Sequence, residues 1–294
     1  MRFHAAILPP SITADQRIRR GQFNYPAKSI NIYSFSCMDI DCGKVIHRGS
    51  RDSGITVAED GCRRNLYLDG DTLQSTMLLT DPNKLDLEYS QAMMCALLFQ
   101  PAPRKVLLVG LGGGSLVKFL LEFCPETRID VAEINPEVVK VARQYFLLPE
   151  SERLLVTLAS GEVVVADRLA AGDRYDLLLL DAFDDNGPAR ALLDEQFLCR
   201  CRSLLTRGGI FAMNLWNRPA DNFPAIHATL ATLFGMGTQK LLLTEANTNA
   251  IVFGLTEPVL GKNLMGLKPV ARELSHRTGI NFVRLLRQLY WQNN

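Results

Sequence analysis

Val106-Leu107-Leu108-Val109-Gly110-Leu111-Gly112-Gly113-Gly114-Ser115-Leu116 is the stretch whose reading decides the fold. Four apolar residues make a buried strand, the glycines let the backbone turn tightly against a ligand, and Ser115 to Leu120 starts a helix. Arg128-Ile129-Asp130-Val131-Ala132 reads as a second strand, and its end presents Glu133. A carboxylate at that place can take both hydroxyls of a ribose. A tight structural turn would explain the glycines alone, but strand, loop, helix and distal acid together predict a nucleoside site. Ser115 stands where a dinucleotide fingerprint has its third glycine, so the spacing is Gly110-x-Gly112-x-Gly114. That pattern suits S-adenosyl ligands, which have no pyrophosphate for the helix N-terminus to hold.

Downstream of this unit the chain alternates strand and helix to its end, which predicts a mostly parallel sheet covered on both faces. Asn135-Pro136 opens a helix from Glu137 to Phe146, and strands are expected at Leu154 to Leu158, Tyr175 to Asp181, Ile210 to Leu215, Lys240 to Leu243 and Ala250 to Leu255. Helices are expected at Gly161 to Ala171, at Glu195 to Leu205 with a stop near Gly208-Gly209, and at Phe223 to Phe234, followed by two more from Pro269 to Gln292 broken at Gly279. Upstream, Ile55 to Glu59, Arg63 to Leu68 and Ser75 to Leu79 read as short antiparallel strands joined at Asp60-Gly61 and Asp69-Gly70. Leu85 to Phe99 reads as one amphipathic helix ended by Pro101 and Pro103. Residues 1 to about 50 show no clear periodicity.

The expected fold class is therefore α/β, a mostly parallel, Rossmann-like sheet with a small N-terminal antiparallel β domain, which the family resemblance below makes a class I methyltransferase-type sheet. Residues 1–50 form an extension of undetermined order, 51–100 the small β domain with its connecting helix, and 101–294 the nucleoside-binding domain. A chain of 294 residues with 47% hydrophobic content has the core for such a pair. The net charge of +1 gives no footing for nucleic acid or an anionic membrane surface. No segment is long and apolar enough to span a bilayer, and the start lacks a signal-peptide run, so a cytoplasmic location is expected. The seven cysteines lack disulfide or zinc spacing and the four histidines are scattered, so no metal is expected.

Ligands of open parallel sheets bind beyond the carboxyl ends of the strands. Gly110 to Gly114, Glu133, Ser160 and Asp181 stand at four successive strand ends and should surround one crevice. Asp181 closes an apolar strand, where an acid is costly unless used. Asp184 and Asp185 lie in a turn-forming loop and read equally well as solvated acids. Trp216, just after the fifth strand, could wall the crevice, but packing is the better reading of it.

Leu68-Asp69-Gly70-Asp71-Thr72-Leu73-Gln74, the glycine loop, Ala132 to Val139 and Tyr175 to Pro188 resemble, in this order, the spermidine synthase family of polyamine aminopropyltransferases. The resemblance runs from about residue 54 to 256. It implies a β-sheet domain ahead of a methyltransferase-like Rossmann domain, a nucleoside sulfonium cosubstrate and a homodimer. Carried over by position, Glu133 would hold the ribose, and Gly110, Gly112 and Gly114 would flank the nucleoside. Asp181 would be the general base on the attacking amine and Asp184 the anchor of a diamine such as putrescine. Gln74 and Tyr89 would line the transfer site.

There are departures. The family's loop reads GGGDGG, with an aspartate that grips the amine of decarboxylated S-adenosylmethionine, and here that position is Gly113. The family's Tyr-His-Glu appears as Tyr89-Ser90-Gln91, and the Asp-Gly that reads the adenine amino group appears as Ser160-Gly161. Loss of the loop acid also removes repulsion against the carboxylate of ordinary S-adenosylmethionine. Three functions follow in order: an aminopropyltransferase using decarboxylated S-adenosylmethionine, a methyltransferase using S-adenosylmethionine on an unknown acceptor, and a nucleoside-binding protein without turnover.

Overall fold

The computed structural model describes residues 43–50, 54–68, 72–184, 187–216, 223–243, 249–259 and 262–293. The chain first forms a four-stranded antiparallel sheet in sequential order, β1 (Lys44–Arg48), β2 (Thr56–Asp60), β3 (Arg63–Leu68) and β4 (Thr72–Leu78). Val57, Leu66 and Met77 bury its inner face. Strand β1 falls where the sequence showed no periodicity. It lies on the edge of the sheet with no residue fully buried, so it needs no apolar alternation.

The single helix expected over Leu85 to Phe99 is two short ones, α1 (Glu88–Met93) and α2 (Ala96–Phe99), separated by a turn at Met94-Cys95. Every residue from Ala92 to Leu98 is buried. An amphipathic helix needs a solvent face, and this segment has none because it packs on the large sheet.

That sheet is laid down by the succession β5 (Lys105–Val109), α3 (Ser115–Phe123), β6 (Arg128–Glu133), α4 (Pro136–Tyr145), β7 (Leu154–Leu158), α5 (Gly161–Ala170) and β8 (Tyr175–Leu180). A small hairpin of β9 (Phe183–Asp184) and β10 (Gly187–Pro188) follows, then α6 (Glu195–Ser203), β11 (Leu205–Trp216), α7 (Phe223–Phe234), β12 (Thr238–Leu242) and β13 (Asn249–Leu255). Helices α8 (Lys262–Met265), α9 (Lys268–Thr278) and α10 (Phe282–Gln292) close the chain, with Gly279 at φ 75° ending α9. The spatial order is β12-β13-β11-β8-β5-β6-β7, parallel except for β13, which runs against both β11 and β12. Chain direction across the sheet reverses at β5, so the switch point lies between β5 and β8. A crevice opens there at the carboxyl ends of the strands.

Side chains alternate across the sheet. Val106, Leu108, Leu177, Leu179, Ile210 and Ala212 join a core with α3, α4, α9, α10 and the small sheet, while Leu107, Val109, Leu178, Leu180, Phe211 and Met213 join another with α5, α6 and α7. Strand β11 starts earlier than its apolar run suggests. Leu205 already pairs with Tyr175, and the register shifts before Ile210. Gly208, at φ 76°, lets the chain bulge between the two, and α6 stops at Ser203. No helix among the described residues is long and apolar enough to cross a membrane.

Candidate active site

A cavity of about 480 Å³ occupies the switch point, within the range of small-molecule sites. Gln74, Tyr89, Gly110, Gly112, Glu133, Ser160, Gly161 and Asp181 all line it, so residues from the small sheet, α1 and four strand ends meet at one place.

The glycine loop is held from two sides. Gly110 has φ 93°, and a Cβ there would lie 2.1 Å from the carbonyl oxygen of Asp181. The loop therefore passes directly over the end of β8, which only glycine allows. On the other side the Gly113 N–H donates to Ser75 Oγ at 2.9 Å, so β4 steadies the loop. Gly114 does not line the cavity. At φ 72° it turns the chain into α3, with Leu148 packed over it. Gly113 has no spare room either, since a Cβ would lie 2.9 Å from the Phe146 ring and 3.0 Å from Ser75 Cβ.

Glu133 ends β6 and is buried. Its Oε2 accepts from the Leu111 N–H at 2.9 Å and its Oε1 from the Asn135 N–H at 2.8 Å. Burial pushes its pKa up, and these backbone donors hold it down. The Ile134 N–H is a third backbone donor to this carboxylate, which borders the cavity.

Asp181 follows β8 directly. Its Oδ1 accepts from Asn214 Nδ2 at 2.9 Å, and Asn214 Oδ1 accepts in turn from Asn249 Nδ2 at 2.9 Å. Tyr89 Oη donates to the Gln74 carbonyl at 3.1 Å and also lies against the Asp181 carboxylate, so its single proton serves one acceptor at a time. Burial pushes the Asp181 pKa up to about 6, with the Asn214 and Tyr89 hydrogen bonds restraining the rise. Burial and then the charge of Asp181 push the Tyr89 phenol well above its ordinary value, so it stays protonated. Such a carboxylate is ionised at neutral pH yet proton-hungry.

Ser160 caps α5, its side chain accepting from the Val163 N–H, and Gly161 brings that helix against Val109, where a Cβ would lie 2.6 Å from Cγ1. Both still border the cavity. The side chain of Asp184, and residues Asp69 to Asp71 and Asp185, lie outside the described residues. Trp216 does not reach the cavity but sits against Phe183, which does, with ring centroids 5.4 Å apart. Sequence reasoning missed Ser75 and Asn214. Ser75 carries no local signal, but Asn214 interrupts the apolar run Ile210-Phe211-Ala212-Met213, and a buried amide there was a legible anomaly.

A parallel-dominated sheet with an acid at the second strand end and a glycine loop over the fourth defines a protein of the class I methyltransferase-type fold. Comparison with known proteins narrows this. Residues 87–231 match the model of the Spermine/spermidine synthase domain. The polyamine aminopropyltransferase of Neisseria meningitidis serogroup B is 35% identical over 242 residues, covering 81% of this chain and 90% of that one. Among solved structures, human methyltransferase-like protein 13 in complex with SAH superposes with a TM-score of 0.58 and 27% identity over 68% of this chain and 93% of that one. A spermidine synthase in complex with the transition state analogue AdoDATO gives 0.60 at 21% identity, over 73% and 74% of the two chains. The chain belongs to the spermine/spermidine synthase family of transferases.

Proposed function

We propose that this protein moves the aminopropyl group of decarboxylated S-adenosylmethionine onto a primary amine of a polyamine-type acceptor such as putrescine. The carrying observation is the charge of the cavity: its described lining holds the acids Glu133, Glu162 and Asp181 and no Lys or Arg. A sulfonium and an amine are both cationic in water, and such a field attracts them. Ordinary S-adenosylmethionine brings a carboxylate that would find no cation among the described lining residues.

Glu133 holds the ribose and the loop at Gly110 and Gly112 lies along the nucleoside, setting the reactive carbon toward Asp181. The amine must shed a proton to attack. Its nitrogen lone pair forms the new C–N bond, the C–S electrons stay on sulfur, which leaves as a neutral thioether, and Asp181 accepts the proton. Alignment of the two substrates supplies much of the rest. Asp184 is the proposed anchor of the far amine, and Ser160 and Gly161 border the adenine end.

A second reading, transfer of a methyl group, is supported by the neighbour bound to SAH. Calorimetric titration with each cosubstrate, followed by mass spectrometry after putrescine is added, separates them. The aminopropyl reading expects tighter binding of the decarboxylated form and a product one aminopropyl unit heavier. Tighter binding of S-adenosylmethionine with no reaction of putrescine would overturn it.

A further inference from the structure

Asn214 is 3% exposed in the middle of a sheet, between Met213 and Leu215 of the apolar core. An amide so placed is destabilising unless its hydrogen bonds are made, and its partners here are a carboxylate and another amide. Strand register explains how they meet. Met213 pairs with Leu180, so Asn214 arrives beside Asp181, and on the other side Trp216 pairs with Asn249, which puts Asn249 diagonally next to Asn214 on the same face.

We propose that Asn214 and Asn249 are positioning residues that hold the Asp181 carboxylate in one orientation toward the cavity. The chain has one possible polarity. An ionised carboxylate only accepts, so Asn214 must turn its amino group to Asp181 and its oxygen away, and Asn249 must then offer its amino group to that oxygen. Asn249 thereby fixes which end of Asn214 faces the acid. Asn214 engages one oxygen of the carboxylate, Tyr89 lies against it as well, and the group borders the cavity. The relay also favours the ionised form, in line with the restraint that Asn214 places on the Asp181 pKa. The other titratable groups facing the same cavity are Tyr89 from α1, Glu133 from β6 and Glu162 from α5, all acids, so no described lining cation does this work instead.

The inference uses the proposed role of Asp181 as base, and its test separates the two. Asn214→Leu is nearly isosteric, neutral and suited to its apolar neighbours. With transfer measured over pH, we expect kcat to fall about tenfold or more, KM for the nucleoside to change less than about threefold, and the acidic limb of the profile to move up by about one pH unit. Asn249→Ala should move the same limb in the same direction by less, and Asn249→Gln, which keeps an amide, should recover part of it. If the wild-type protein transfers nothing, the functional reading fails while the relay is still read from the Asp181 carboxyl resonance in carbon NMR, assigned by its absence in Asp181→Asn. A limb and a carboxyl titration unmoved by Asn214→Leu would overturn the relay.

Discussion

Replacing Asp181 by asparagine separates what this residue does for chemistry from what it does to stability. The unfolded chain titrates this carboxyl near 3.8, and the folded protein near 6. Folding therefore favours the protonated form: stability from this group is complete below pH 3.8 and is lost as pH rises through the folded value. Above that window the ionised side chain is a net burden of roughly 3 kcal/mol, taking 1.36 kcal/mol per pH unit, and this is an upper bound because part of Asp181 faces the cavity. Asparagine fits the same partners, its oxygen accepting from Asn214 Nδ2 and its amino group donating to Tyr89 Oη. Asp181→Asn should thus abolish transfer, leave nucleoside affinity within a few-fold, and raise the urea midpoint at pH 8. The gain should shrink toward zero as pH is lowered from about 6 to 4. Urea titrations of both proteins at pH 4, 6 and 8 measure it. A variant less stable at pH 8, or a gain that does not vary with pH, would refute the reasoning about burial.

Two further perturbations test separate parts of the site. Glu133→Gln puts an amino group where one oxygen now accepts from Leu111 or Asn135, so nucleoside affinity should fall by about 1–3 kcal/mol in calorimetry, and unchanged affinity would remove the ribose assignment. Lys118 is buried with its Nζ on the Phe146 carbonyl at 2.7 Å, and burial pulls its pKa down to about 8. Between that value and 10.5 the unfolded chain keeps a proton that the folded protein releases, so wild-type stability should rise across the window relative to Lys118→Met. Parallel denaturation midpoints for the two proteins at pH 7 and pH 10 would contradict it.

The parts of the molecule readable from sequence are those whose signal is local. Val106 to Val109 is apolar because both faces of β5 are covered, Asn135 and Pro136 announce α4, and Glu133 and Asp181 stand out as acids closing apolar strands. Strand β1 was silent because an edge strand without a buried residue needs no pattern, and the break at Met94-Cys95 was hidden because uniform burial erases helical periodicity. Gly208-Gly209 read as a helix stop when it is a bulge inside β11, and the two look alike in sequence since each calls for a residue at positive φ. The supports of the site depended on tertiary register. Nothing near Ser75 says that Gly113 will lie on it, and Asn214 and Asn249 are brought together only by the antiparallel pairing of β11 with β13.

Register also changes the meaning of Gly113. Read along the chain, it is a missing acid, and the absence argues for a cosubstrate that keeps its carboxylate. In the folded protein the Phe146 ring and Ser75 crowd the space its Cβ would need, and Phe146 is fixed from behind by Lys118. The glycine is thus required by the packing of loop against α4, and an aspartate there would demand a rearrangement of Phe146 before it touched any ligand. Its absence then says little about which sulfonium is used. On the proposed reading, discrimination falls to the field of the cavity, where Glu133, Glu162 and Asp181 meet no Lys or Arg among the described lining residues. Three described acids around one cavity repel a carboxylate from several directions at once, so on this reading a single gripping residue in the loop is not needed for the choice.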